Sequence, residues 1–322
     1  MKAIVQYEYG PPEVLEFRDV DMPVAGDDDV LIRVQASSVN ALEWHMMTGV
    51  PFLVHLEAGF SKPKRPTLGA DVAGRVEAVG KNVTRFQPGD DVFGDVGSGA
   101  YAEYVTGSER SLALKPDNVT FEQAAAVPVA GLTALQGLRD KGQIQSGQHV
   151  LINGASGGVG TFAVQIAKSL GAEVTAVCST KNVDAARSLG ADHVIDYTQE
   201  DFVQSGRRYD LMFDLPGNRS LADCKRVLKS NGTYLLVGGS KRRWVGPLPR
   251  LFRAKLAFLV GNRRMDWLLA KANNEDLGLL AGLLESGEVT PVIERRYELS
   301  DVPEALRRFG DGHAQGKTVI TV

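Results

Sequence analysis

One short stretch constrains the fold more than any other. The apolar run Val150-Leu151-Ile152 enters Asn153-Gly154-Ala155-Ser156-Gly157-Gly158-Val159-Gly160, and helix-forming residues follow at once. Glycines at 154, 157 and 160 give a G-x-x-G-x-x-G spacing. A strand that turns directly into a helix needs the backbone freedom of glycine. Bare backbone at such a turn also admits a pyrophosphate close to the N–H groups at the positive end of the helix. Alone the spacing is weak evidence. Between a strand and a helix, at the head of a βαβ series, it points to a dinucleotide site.

That series is present. The sequence predicts a helix over 159–170, a strand over 174–177, a helix over 182–189 and short strands over 193–195 and 211–213. A helix over 221–228 and a strand over 234–237 follow. Apolar runs rather than alternation suit strands covered on both faces, so the expected fold is α/β, a doubly wound parallel sheet of the Rossmann type. The chain before it differs. Val30 to Ala36 reads as a strand, 71–79 is partly apolar on both faces, and Gly80-Lys81-Asn82 and Pro88-Gly89-Asp90 are turns. These point to a second, β-barrel domain. Thr120 is an N-cap candidate for a helix starting at Phe121. Past Val260 no further βαβ unit is expected, and the tail, with helices at 276–284 and 300–309 and a strand at 318–320, is expected to return to the barrel. The expected division is 1–122 with 265–322 for the barrel, and 123–264 for the Rossmann domain.

The second strand decides which dinucleotide. An NAD site carries an Asp or Glu about 20 residues after the glycines, for the ribose 2′-OH. Here the strand ends Cys178-Ser179-Thr180-Lys181-Asn182, without a carboxylate. Two hydroxyls and a cation suit a 2′-phosphate, so NADPH is the expected cofactor. Against 36 Lys and Arg stand 39 Asp and Glu, a net charge of −3, which gives no reason to expect nucleic acid. Cys178 and Cys224 are the only cysteines, so no Cys-x-x-Cys zinc site exists, and a reducing compartment fits. No signal-peptide pattern opens the sequence, and cytoplasmic localisation is the expectation.

Gly69-Ala70-Asp71-Val72-Ala73-Gly74-Arg75-Val76, Gly89-Asp90-Asp91-Val92, Ala130-Gly131-Leu132-Thr133-Ala134 and the glycine loop together resemble the medium-chain dehydrogenase/reductase superfamily, over essentially the whole chain. The likeness is to its zinc-free quinone-oxidoreductase branch. Thr290-Pro291-Val292-Ile293-Glu294 and the run 312–320 are similar to the tail of the reticulon-interacting mitochondrial oxidoreductases and their bacterial relatives. The resemblance implies that the first domain is a GroES-like barrel. Where zinc-dependent relatives carry Cys and Gly-His-Glu, this chain has Ser38-Val39-Asn40 and Gly69-Ala70-Asp71, so no metal is expected. His45 and His55 lie nearby, without thiolate partners.

Without a Lewis acid, a hydride acceptor must already be electrophilic. The expected reaction is therefore reduction of quinones or activated enones. The alternatives are a 2-alkenal or enone reductase proper, and a cofactor-bound protein without catalysis. The resemblance implies that Ser156, Gly157, Gly158 and Val159 hold the pyrophosphate. It implies that Ser179, Thr180, Lys181 and Tyr197 surround the 2′-phosphate. The resemblance further implies that Leu215, Gly238, Gly239 and Ser240 line the nicotinamide side and that Asn40 and Thr133 approach it, with His313 and Lys317 as weaker candidates. No general acid is identified. The stretch 47–52 lacks the tyrosine of related enoyl reductases, which counts against a fatty-acid enoyl reductase. A homodimer is common in the superfamily. The segment 241–264 holds Lys241, Arg242, Arg243, Arg250, Arg253, Lys255, Arg263 and Arg264 and no acid. A solvated face over a packed apolar side is the favoured reading of it. A membrane-surface contact, a lid on the substrate cleft and a subunit contact are the others.

Overall fold

The computed structural model describes residues 1–52, 54–238, 248–258, 261–312 and 315–322. The chain forms two compact units, Met1–Leu132 with Lys271–Val322, and Thr133–Ala270. Helix Phe121–Ala125 lies in the first unit and ends seven residues before its boundary at Leu132. Its start is set locally: Thr120 accepts from the N–H of Gln123 at 3.2 Å, while the Gln123 side chain reaches back to the N–H of Thr120 at 3.0 Å.

The first unit is built on a seven-stranded sheet. Its strands run in the order Ile293–Glu298, Lys317–Thr321, Asp29–Val39, Asp71–Val79, Asp91–Asp95 and Leu112–Leu114, and Tyr104–Ser108 also pairs with Asp29–Val39. Only the pairing of Ile293–Glu298 with Lys317–Thr321 is parallel. Val30, Ile32, Val34, Val72, Val76, Val92, Val105 and Leu112 form one core. The C-terminal strand brings the end of the chain into this sheet, with Thr318 opposite Val39. That register sets Lys317 beside Asn40.

The second unit is a six-stranded, wholly parallel sheet. In chain order its strands are His149–Asn153, Glu173–Cys178, His193–Asp196, Tyr209–Asp214, Leu228–Leu236 and Arg264–Trp267, arranged 3-2-1-4-5-6. Val150, Leu151 and Ile152 are fully buried at its centre. Two expectations are corrected here. Leu228 begins a strand instead of ending a helix. The chain past Val260 completes one more βαβ unit: helix Leu248–Phe258 crosses over, and Arg264–Trp267 lies parallel to Leu228–Leu236. Arg264-Met265-Asp266-Trp267 is a four-residue edge strand, exposed at both ends and half-buried between, and its mixed residues make no apolar run to announce it.

Candidate functional site

The glycine loop leaves the end of strand His149–Asn153 as its sequence requires. Gly154 has φ +90°, a conformation open to glycine, and its N–H and that of Ala155 donate to the carbonyl of Val177 at 3.2 and 3.1 Å. Gly160 has no room for a side chain, since a Cβ there would lie 2.2 Å from the carbonyl oxygen of Gly154. Gly157 differs. A Cβ on it would meet nothing nearer than 3.6 Å, so packing does not demand a glycine. Gly157 is also the N-cap of helix Gly158–Ser169, and no side chain caps that first turn. The N–H groups of Gly158 and Val159 therefore project from the positive end of the helix beside space that a Cβ would fill. Ser156, Gly157, Gly158 and Val159 all lie partly open to solvent. This arrangement suits an anionic pyrophosphate.

Neighbouring strands end at the same place. Leu215 donates its N–H to the carbonyl of Asn153 at 3.1 Å, and a Cβ on Gly238 would lie 2.1 Å from the carbonyl oxygen of Leu215. Leu215, Gly238 and Gly154 are thus brought together at the carboxyl ends of three strands, where open parallel sheets bind ligands. Buried Asp214 fastens them. It accepts from Asn153 Nδ2 at 2.9 Å, the hydroxyl of Tyr234 at 2.9 Å and the N–H of Gly217 at 3.2 Å. Thr133 is half-buried in helix Pro128–Gln136. Gly239, Ser240 and His313 lie outside the described residues.

At the second strand, Ser179, Thr180 and Lys181 form an open turn, with Thr180 and Lys181 exposed. Tyr197 is exposed just beyond the third strand, its N–H on the carbonyl of Cys178 at 3.0 Å. The structure adds a carboxylate that sequence reasoning missed. Asp196 lies opposite Cys178 in the strand register. Hydrogen bonds from Thr180 and Thr198 hold its carboxyl below the usual range, the Thr180 hydroxyl foremost. Thr198 Oγ1 is 2.8 Å from Thr180 Oγ1 and donates to Asp196 at 2.8 Å. The cation Lys181 and the anion Asp196 thus flank one turn. Only the pairing of strands, 18 residues apart in sequence, reveals it.

In the first unit, Asn40 and Lys317 belong to one buried network. Lys317 is 3% exposed and Asp71 0%. The ammonium of Lys317 lies 3.3 Å from Asp71 Oδ2, donates to the carbonyl of Val39 at 3.2 Å and also donates to Asn40 Oδ1. The hydroxyl of Ser38 donates to Asp71 Oδ2, Asn40 Nδ2 donates to the same oxygen at 2.8 Å, and Asp71 Oδ1 accepts from the N–H of Val129 at 2.8 Å. Lys317 is therefore committed to Asp71 and to orienting Asn40. Behind them, Glu43 accepts from the N–H groups of Asn40 and Ala70 at 2.7 and 2.9 Å. Burial, with Asp71 adding, pushes its carboxyl up to about 7.

These donors do not suit zinc. Both oxygens of Asp71 are engaged, and His45 and His55 bond to backbone carbonyls. Among the described residues no three His, Cys, Asp or Glu side chains gather as a metal site. Cys178 and Cys224 are buried and form no disulfide, and burial pushes the Cys178 thiol up to about 11, so Cys178 is not a ready nucleophile.

Comparison with known proteins agrees with this architecture. Residues 26–117 match the family model of the alcohol dehydrogenase GroES-like domain, and residues 189–320 that described as zinc-binding dehydrogenase. The chain is 35% identical to the mitochondrial NAD(P)H oxidoreductase RTN4IP1 of Mus musculus, over 100% of this chain and 89% of that one. It is similar to the solved quinone oxidoreductase of Coxiella burnetii, with TM-score 0.89 and 32% identity over 100% and 99% of the two chains. The Escherichia coli quinone oxidoreductase complexed with NADPH gives TM-score 0.85 and 25% identity over 100% of each.

Proposed function

Since the chain belongs to the medium-chain dehydrogenase/reductase family, in its quinone-oxidoreductase branch, we propose that it is an oxidoreductase that reduces quinones or activated enones with NADPH and without zinc. The observation that carries this reading is the engagement of Asp71. The residue standing where zinc-dependent relatives place Glu is held by Lys317, Asn40, Ser38 and the backbone of Val129. With no metal to polarise a simple carbonyl, the acceptor must delocalise the incoming charge itself, as quinones and enones do.

Bound NADPH supplies the hydride. The chain supplies position and electrostatics. Ser156, Gly157, Gly158 and Val159 hold the pyrophosphate through backbone N–H groups. Ser179, Thr180 and Lys181 hold the 2′-phosphate, with Tyr197 beside them. For that, Thr180 gives up its bond to Asp196, so the preference for NADPH over NADH is the balance of one cation against one nearby carboxylate. Leu215 and Gly238, followed by Gly239 and Ser240, line the nicotinamide side, with Thr133. Asn40 presents an amide fixed by Asp71 and Lys317, and His313 completes the set. The solved relative named for its NADPH complex supports the cofactor. The two buried cysteines, which form no disulfide, support a reducing compartment, the cytoplasm in our reading. A homodimer is the proposed assembly.

The test is loss of nicotinamide absorbance with benzoquinone, phenanthrenequinone, hexenal, a cyclic enone and a simple aldehyde, with EDTA-treated enzyme and NADH in parallel. The expected result is chelator-insensitive turnover of quinones or enones, faster with NADPH. Hexenal and the enone outpacing both quinones selects the alkenal reductase. Aldehyde reduction abolished by EDTA overturns the zinc-free reading. NADPH binding without turnover of any acceptor overturns the catalytic one.

A further inference from the structure

The basic segment 241–264 plays no part in the dinucleotide reading. Eight Lys and Arg and no Asp or Glu fall within it. Helix Leu248–Phe258 turns about 100° per residue, so Ala254 and Phe258 share one face while Phe252 and Leu256 share the opposite one. The first pair is buried, with the Phe258 ring stacked on Tyr234 at 5.8 Å. The second pair faces solvent, 69% and 53% exposed. Exposed Arg253 and Lys255 flank that outward pair, one on each side. Lys255 also lines a cavity of about 450 Å³, together with Lys141, Arg263 and Arg264. The acid in its wall is Asp266, 3.2 Å from Lys141. Arg263 is braced on the carbonyl of Leu228 at 3.1 and 3.3 Å, and Arg264 on Gln143 at 3.3 Å.

A face that only needs solvation has no use for a phenylalanine and a leucine at its centre. Apolar groups in the middle, cations at the flanks and a cation-lined hollow alongside are complementary to a surface that is anionic outside and apolar beneath. We propose that this face of the second unit docks on an anionic phospholipid surface. Phe252 and Leu256 enter the boundary between headgroups and acyl chains. Arg253 and Lys255 meet headgroup phosphates, and the cavity receives one between Lys255, Arg263 and Arg264. The proposal is independent of the substrate reading, and its test needs no turnover.

Full-length protein is floated with vesicles of phosphatidylcholine alone and of equimolar phosphatidylcholine and phosphatidylglycerol, at low and high salt. The expected result is flotation with the anionic vesicles only, weakened by salt. Arg253→Gln with Lys255→Gln lowers the partition about 25-fold, roughly fivefold for each charge. Phe252→Ser with Leu256→Ser abolishes it. Both side-chain pairs point outward, so thermal unfolding of the two variants stays at the parent temperature. No flotation at low salt overturns the proposal, as does equal flotation with neutral vesicles or flotation unchanged in both variants. A homodimer in sedimentation that Phe252→Ser with Leu256→Ser dissociates, without vesicle binding, assigns the face to a second copy. Salt-sensitive RNA binding without vesicle binding assigns it to nucleic acid.

Discussion

The three spaced glycines serve different ends. Gly160 is glycine because the carbonyl of Gly154 occupies the place of its side chain, whereas Gly157 stands where a methyl group would make only an ordinary 3.6 Å contact with that carbonyl. The two substitutions therefore separate packing from ligand binding. Gly160→Ala is expected to destabilise the second unit by more than about 2 kcal/mol in urea unfolding, because backbone must move. Gly157→Ala is expected to unfold like the parent while weakening NADPH binding at least tenfold by titration. Equal stability losses in the two variants would show that Gly157 is merely structural. Lys317 teaches a related lesson. Sequence offers it as a weak cofactor contact, yet it is the cation of a buried pair, and a buried pair is costly to break because the partner keeps an uncompensated charge.

At the scale of elements, register is what assembles the sites. The third strand of the parallel sheet sets Asp196 against Cys178, which carries an acid to the Ser179-Thr180-Lys181 turn. Two substitutions should then move cofactor choice in opposite directions. Lys181→Ala is expected to lower kcat/KM for NADPH roughly tenfold, with NADH little changed, since a charge-assisted contact to the 2′-phosphate is lost. Asp196→Asn is expected to raise the NADPH-to-NADH ratio by removing the opposing charge. A ratio that falls in Asp196→Asn would mean that the carboxylate supports the 2′-phosphate site by holding the Thr180 hydroxyl in place, and does not oppose it. In the other unit, the C-terminal strand plays the equivalent part, laying Lys317 against Asn40 across 277 residues of chain.

For the whole molecule, buried Glu43 and half-buried Asp95 predict how stability responds to pH. Burial first, and Asp71 second, push Glu43 up to about 7 from an ordinary 4.5, and Asp95 up to about 6 from 3.8. The folded protein therefore holds these protons more tightly than the unfolded chain. The stabilisation from Glu43 is complete below about pH 4.5 and is lost as pH rises through about 7, on the order of 3 kcal/mol. The melting temperature should fall between about pH 5 and pH 8. Glu43→Gln should flatten that decline at constant ionic strength, and an unchanged slope in the variant would remove Glu43 as its source. Bound NADPH should shift the unfolding of residues 133–270 by mass action, about 2.7 kcal/mol at a hundredfold excess over Kd.

Much of this protein is legible along the chain alone. The glycine loop, the Thr120 cap and the apolar runs of the central strands are local: each follows from the backbone freedom, capping chemistry or periodicity of residues within one turn or strand. They suffice for a parallel α/β sheet that opens on a dinucleotide cradle. What tertiary structure decided lies between segments. The sixth strand is too short and too mixed to show itself until it pairs with Leu228–Leu236. Asp196 beside Thr180, and Asp71 with Lys317, depend on strand order and register, which local preferences do not encode. The outward face of helix Leu248–Phe258 is set by which side its sheet takes, since the chain marks the helix as amphipathic and basic but only packing chooses the residues left in solvent.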